Sequence, residues 1–169
     1  MSYGDFHPTW EARFLFDSYD DEMTKHILSG ICEGYIRANM IWMASMDHDV
    51  PCCLADVGVR YVLPIGCDDA RHPCQLVRGA QEILQTQKAT CIDIACYMAA
   101  LLRTRGTPAS VVFTNQMGQN GPIIGQYHAI VETRGGTIDY TEDLIDGDLA
   151  QCSLDCAQPL SSRPAGEMQ

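Results

Sequence analysis

Along residues 20–46, Met23, Ile27, Ile31 and Tyr35 recur at spacings of three and four, which predicts a long amphipathic helix despite Gly30 and Gly34. The acidic cluster at 47–49 and Pro51 end it, and residues 58–64 (GVRYVLP) read as a short extended piece. A second helix is predicted from Pro73 to about Gln87, striped by Leu76, Val77, Ala80, Ile83 and Leu84. Residues 91–104 (CIDIACYMAALLRT) are helical in pattern and apolar on nearly every side, as befits a helix in the middle of a domain, with Gly106 as its stop.

Beyond Pro108 the period changes. Residues 109–113 read as a strand, 115–125 (NQMGQNGPIIG) as a Gly-rich loop, and 126–133 and 137–141 as two strands joined through Gly135 and Gly136. From 158 the chain turns polar and proline-bearing, a loose tail or partner-binding extension. The length of 169 residues suits one domain, here 1–157, with a helical part at 11–72 and a core at 73–145.

Composition narrows the classes. The net charge is −11 and the eleven basic residues are scattered, so a nucleic-acid partner is not expected. The start lacks a signal-peptide pattern and no stretch is long enough to span a membrane, which points to a cytoplasmic protein. Nine cysteines is an odd and unevenly spaced set, so most are expected to be reduced, small apolar residues. Cys67, His72 and Cys74, with Cys52, Cys53, Cys152 or Cys156, match no tight Cys-x-x-Cys pattern; no metal or other cofactor is expected.

Cys91 differs from the rest. Thr90 and Asp93 fit a capping box, which makes Thr90 the N-cap and Cys91 the first helical residue. A helix N-terminus and a histidine both favour a thiolate, and the Cys91 backbone N–H is free to face an oxyanion. His128 and Asp139 lie downstream on the two neighbouring strands, where one can act as base and the other can orient it. Their meeting depends on the turn. A two-residue Gly135-Gly136 turn would set them roughly 13 Å apart along the strand; a wider loop over 133–136 puts Asp139 opposite Ile130, diagonal to His128 on one face. The wider loop is expected.

With these features, TCIDIACYMAALLRTRGTPASVV followed by YHAIVE and TIDYT resembles the transglutaminase-like (papain-like) superfamily. The resemblance covers about residues 77–141. It implies an α+β fold in which a buried helix, bearing the cysteine at its N-terminus, packs on a small antiparallel sheet carrying the histidine and aspartate. Ala89-Thr90 stands where a glycine often precedes the cysteine, and Tyr140 where a proline often follows the aspartate. The stretch VGVRYVLP is similar to a phage-encoded branch of the superfamily, which implies a place in a virion.

A papain-like site usually adds a side-chain donor to its oxyanion hole; Gln85 is the first candidate and Gln87 the second, and both also read as ordinary solvent-facing helix residues. Two functions compete. One is a cysteine hydrolase acting on a peptide or other amide substrate through Cys91, His128 and Asp139, favoured over transglutamination because the short chain shows no extra domains for a second substrate. The other is a structural or assembly protein, a virion component contacting other virion proteins, that keeps the fold with idle chemistry.

Overall fold

The computed structural model describes residues 20–46, 50–62, 77–145, 152 and 154. Residues 11–19, the stretch 63–76 with Cys67, His72 and Cys74, and the tail at 158–169, all of which carry expectations above, lie outside the described residues.

The first helix, α1 (Asp21–Ser45), starts where the pattern predicts. Asp20 is its N-cap, its side chain accepting the Met23 N–H at 2.8 Å, and Asp21 and Glu22 place negative charge at the positive end of the helix dipole. The buried face is rotated from the expected stripe: Thr24, Cys32, Tyr35, Ile36, Asn39 and Met43 are buried, whereas Met23 is 46% exposed. Cys32 and Asn39 occupy turns on which the apolar count alone gives them no weight.

After a 3-10 turn (Ala55–Val57), β1 (Arg60–Tyr61) pairs in parallel with β2 (Lys88–Ala89). Between them lies α2 (Ala80–Thr86), shorter than the helix predicted from Pro73, since the described residues 77–79 are not helical and Gly79 is its N-cap. A side-chain acceptor explains the start: the buried Asn39 Oδ1 accepts the Ala80 N–H at 2.9 Å, so α1 supplies a partner for the opening turn of α2.

The helix α3 (Cys91–Thr104) is buried from Cys91 through Leu102 and packs against α1 on one side and the sheet on the other. It ends at Gly106, whose φ of +84° is the left-handed conformation that suits glycine, with the Thr107 N–H closing on Leu102 O at 2.9 Å. Arg103 in its last turn ties three elements together. Its Nε donates to Ala109 O at 2.7 Å, and its two terminal nitrogens bind both carboxylate oxygens of Glu33 on α1. The buried Tyr97 hydroxyl donates to Pro51 O.

The sheet runs β3 (Ala109–Gly118), β4 (Gly121–Thr133), β5 (Gly136–Ile138), all antiparallel. The predicted loop at 115–125 is instead the far end of the β3–β4 hairpin, irregular between Asn115 and Met117 and closing at the Gly118–Gly121 pair, with Gly121 at φ +107°. Glycine and polar residues read as loop in isolation; here each strand supplies hydrogen-bond partners to the other. A polar clamp holds the base of this extension to α1: Asn115 Nδ2 donates to Asp21 Oδ2 at 2.8 Å, Lys25 Nζ donates to Asn115 Oδ1 at 2.8 Å, and the Tyr127 hydroxyl donates to Asp21. The short α4 (Glu142–Ile145) follows β5 and packs on β1.

Of the six described cysteines, three depart from the expected reduced state. Cys53 and Cys152 form a disulfide with Cα atoms 5.6 Å apart, within the span a disulfide requires, and Cys52 is disulfide-bonded as well. Cys32, Cys91 and Cys96 are free thiols. Spacing along the chain gives no sign of the first pair, whose members are 99 positions apart. Among the described residues no helix is long and apolar enough to cross a membrane.

Candidate active site

Thr90 has extended backbone angles and its hydroxyl accepts the Asp93 N–H, while Asp93 Oδ2 accepts the Thr90 N–H at 2.9 Å, completing the capping box the sequence predicts. Asp93 is fully buried. Its Oδ1 accepts the Arg78 N–H at 2.7 Å and its Oδ2 receives Arg78 Nη1 at 3.1 Å, an ion pair the sequence did not suggest because Arg78 lies 15 positions upstream. Burial outweighs these bonds and raises the Asp93 carboxyl to about 6. The cap, with Cys91 beside it, is thereby locked to the segment leading into α2.

Cys91, at the first position of α3, is 9% exposed. The histidine arrives from β4. Ala129 and Val131 are buried in the core, and the alternation of the strand leaves His128 on the intervening set of positions, its side chain 21% exposed. Asp139 follows β5 directly. The register Val131–Ile138, Glu132–Thr137, Thr133–Gly136, carried on by one residue, sets Asp139 opposite Ile130 as expected, but not through a wider loop: Thr133 and Gly136 pair, so the turn is the two residues Arg134 and Gly135. The turn through 133–136 is held by Thr133 Oγ1, which accepts the Gly135 N–H at 3.2 Å and donates to Gly136 O at 3.1 Å.

The three residues meet. His128 Nε2 lies 2.7 Å from Asp139 Oδ2, and Asp139 Oδ1 accepts the Thr141 N–H at 3.0 Å, so the carboxylate is held from both ends. With Nε2 given to Asp139, Nδ1 is the ring nitrogen left for Cys91. The hydrogen bond to the Cys91 sulfur, acting against burial and joined by that to Asp139, raises the His128 imidazolium to about 9. An imidazolium stable at neutral pH beside a cysteine at a helix N-terminus is the arrangement that sustains a thiolate nucleophile.

Both candidate oxyanion glutamines are exposed. Gln85 is exposed on α2. Gln87 is the C-cap of that helix, at φ +56°, and its Nε2 donates to Val57 O at 2.9 Å. That bond holds the turn before β1, and the amide approaches so near that a Cβ on Gly58 would meet Nε2 at 2.7 Å.

Tyr61 is the residue that sequence reading passed over. It is partly buried against the core, and burial first, then the negative charges of Cys91 and Asp139, raise its phenol. Its proximity comes from the parallel pairing of two-residue strands 28 positions apart, which leaves no periodic mark in the chain. Among the described residues no cluster of three or more His, Cys, Asp or Glu side chains could hold a metal ion.

Comparison with known proteins gives one family match. Residues 60–140 match the model of the transglutaminase-like superfamily, a span that opens at β1 and closes one residue past Asp139. No curated protein and no solved structure matches the chain. The resemblance to the transglutaminase-like superfamily thus holds over residues 60–140, the span that carries Cys91, His128 and Asp139.

Proposed function

We propose that the protein is a cysteine hydrolase that cleaves an amide bond through an acyl-enzyme on Cys91. What supports this reading is the His128–Asp139 hydrogen bond together with the neighbouring Cys91 at the N-terminus of α3, whose sulfur is the first cause of the raised His128 imidazolium.

In this mechanism the Cys91 thiolate attacks the carbonyl carbon, forming a C–S bond as the carbonyl electron pair moves onto oxygen. The Cys91 N–H, one of the helix-start donors without an intrahelical partner, faces that oxygen. As the tetrahedral intermediate collapses, the C–N bond breaks and His128 gives its proton to the departing amine, leaving a thioester. Neutral His128 then takes a proton from water, the hydroxide adds to the thioester, and the C–S bond breaks to release the acid. Asp139 keeps the ring oriented throughout and offsets its charge.

The test is Cys91 alkylation by iodoacetamide as a function of pH, mapped to the residue, in the native protein and in His128→Ala. Cys32 and Cys96 are fully buried, which helps confine the label. The expected result is a Cys91 that reacts at pH 6 at least about tenfold faster than a small-molecule thiol, an advantage lost in His128→Ala. Equal reactivity in all three sinks the hydrolase reading and leaves the idle-fold, assembly role as the better account.

A further inference from the structure

Asp139 is built into the start of α4. Its backbone carbonyl accepts the Glu142 N–H at 3.3 Å and its Oδ1 the Thr141 N–H at 3.0 Å, while the Asp143 and Leu144 N–H groups close on Tyr140 O and Thr141 O. Where α4 sits therefore decides where the carboxylate sits. Yet α4 is four residues long, too short to hold its place alone, and it borders a cavity. That cavity is lined by Ile94 and Met98 of α3, by Tyr140 and Leu144 of the α4 segment, and by Cys52 and Cys152.

Part of this lining is covalently fixed. Cys152, which shares the cavity with the α4 segment, is bonded to Cys53. Cys53 belongs to the immobile side: it is buried, Pro51 before it takes the Tyr97 hydroxyl of α3 on its carbonyl, and Leu54 after it accepts the Val57 and Val59 N–H groups. The disulfide thus fastens the surroundings of α4 to the body of the domain.

Resting on the hydrolase reading, we propose that the Cys53–Cys152 disulfide is a redox switch on the site: closed, it holds α4 so that Asp139 meets His128; opened by a dithiol, it lets α4 shift into the cavity and Asp139 leave the ring. Cys152 is partly exposed and Cys53 is buried, so the reductant's thiolate attacks the Cys152 sulfur. The S–S bond breaks, a mixed disulfide forms on Cys152, and Cys53 departs as a thiolate that takes up a proton. The second thiol of the reductant then attacks the reductant's sulfur in the mixed disulfide and releases Cys152 as a thiol. Two electrons and two protons have passed to the cysteines, and the reductant is left as a cyclic disulfide. Such a protein is idle in a cytoplasm kept reducing by dithiols and becomes active in an oxidising setting.

The test reads the site in Cys53→Ser/Cys152→Ser. The His128 midpoint, by histidine NMR titration, should fall by at least about one pH unit from its native value of about 9. Turnover of p-nitrophenyl acetate should slow by about tenfold or more, as for a catalytic base that has lost its orienting group. In an Asp139→Asn background the same double substitution should change turnover by no more than about twofold, because the carboxylate through which the disulfide acts is already gone. Dithiothreitol should lower the midpoint of the native protein in the same way, and its oxidised form should restore it.

An unchanged His128 midpoint in the folded double variant overturns the switch, as does an equal loss of turnover in the Asp139→Asn background. Should the double variant fail to fold, the native protein in graded ratios of reduced to oxidised dithiothreitol decides: a midpoint that moves only as the circular dichroism of the fold is lost makes the disulfide a mere staple and overturns the proposal. A cross-linked wild type whose p-nitrophenyl acetate turnover is no faster than that of His128→Ala is a different failure, that of the hydrolase reading, and the His128 midpoint still decides the switch.

Discussion

His128 and Asp139 stand diagonally across the β4–β5 hairpin, 2.7 Å apart, because the turn closes on the Thr133–Gly136 pair. Shifting that register by one residue would move Asp139 to the other face of the hairpin. The contact also sets the protonation of the ring, and the first prediction follows from it.

Replacing Asp139 by Asn removes a negative charge from the imidazolium while keeping the shape of the side chain. The His128 proton, held to about 9 in the native protein, should be lost at least about one pH unit lower. Histidine NMR titration would read this directly, and the high-pH limb of the Cys91 alkylation profile should move with it.

Two groups make the protein less stable as pH rises. Asp93 has a folded value of about 6, above its ordinary 3.8, so its contribution is full below about 4 and is lost as pH climbs through 6. His128, raised from 6.5 to about 9, contributes fully below 6.5 and loses that contribution through 9. Urea unfolding at pH 4.5, 7 and 9.5 should show both losses. Asp93→Asn should flatten only the lower window and His128→Ala only the upper.

Thr90→Val should cost about 1 kcal/mol, the usual value of an N-cap, and Thr90→Ser should restore it. The Asp93 N–H would lose its acceptor, the Thr90 hydroxyl, while Asp93 Oδ2 keeps the backbone N–H of residue 90. Thermal unfolding of the three proteins checks the order.

Arg103→Ala should destabilise by about 2 kcal/mol, through loss of charge-assisted bonds to Glu33 and of the bond to Ala109 O. Because Glu33 is one-third exposed, the Coulombic share is screened, and Arg103→Lys should recover only part of the loss. Denaturant midpoints in low and high salt would separate the two shares.

Replacing Cys53 and Cys152 together by Ser opens a loop spanning 99 positions, and the chain-entropy account puts the loss at up to about 4.7 kcal/mol. Peptide mapping without reductant should show the Cys53–Cys152 cross-link in the native protein. Full carboxymethylation of both residues under those conditions would contradict the pairing.

What the sequence discloses about this site is its local part. Thr90-x-x-Asp93 announces the cap of α3 within four residues, and distance along the β4–β5 hairpin singles out the register that joins His128 to Asp139. What it withholds is decided by pairing across distance. Gln87 reads as an available donor until the Val57 carbonyl is seen to take it; Tyr61 reads as a strand residue until Ala89 is seen beside it. Cys53 gives no hint of Cys152, and the Gly-rich stretch after Asn115 becomes sheet only because its neighbour is extended too.

The burial of α3 from Cys91 through Leu102 also bears on how such a protein can change over time. A helix with no solvent face has nowhere to accept a larger or polar side chain, so drift along it is nearly closed. On the hydrolase reading, new substrate preferences would be written in the hairpins and turns around Cys91. The end of the helix that carries the cysteine and its least alterable stretch are one piece of chain.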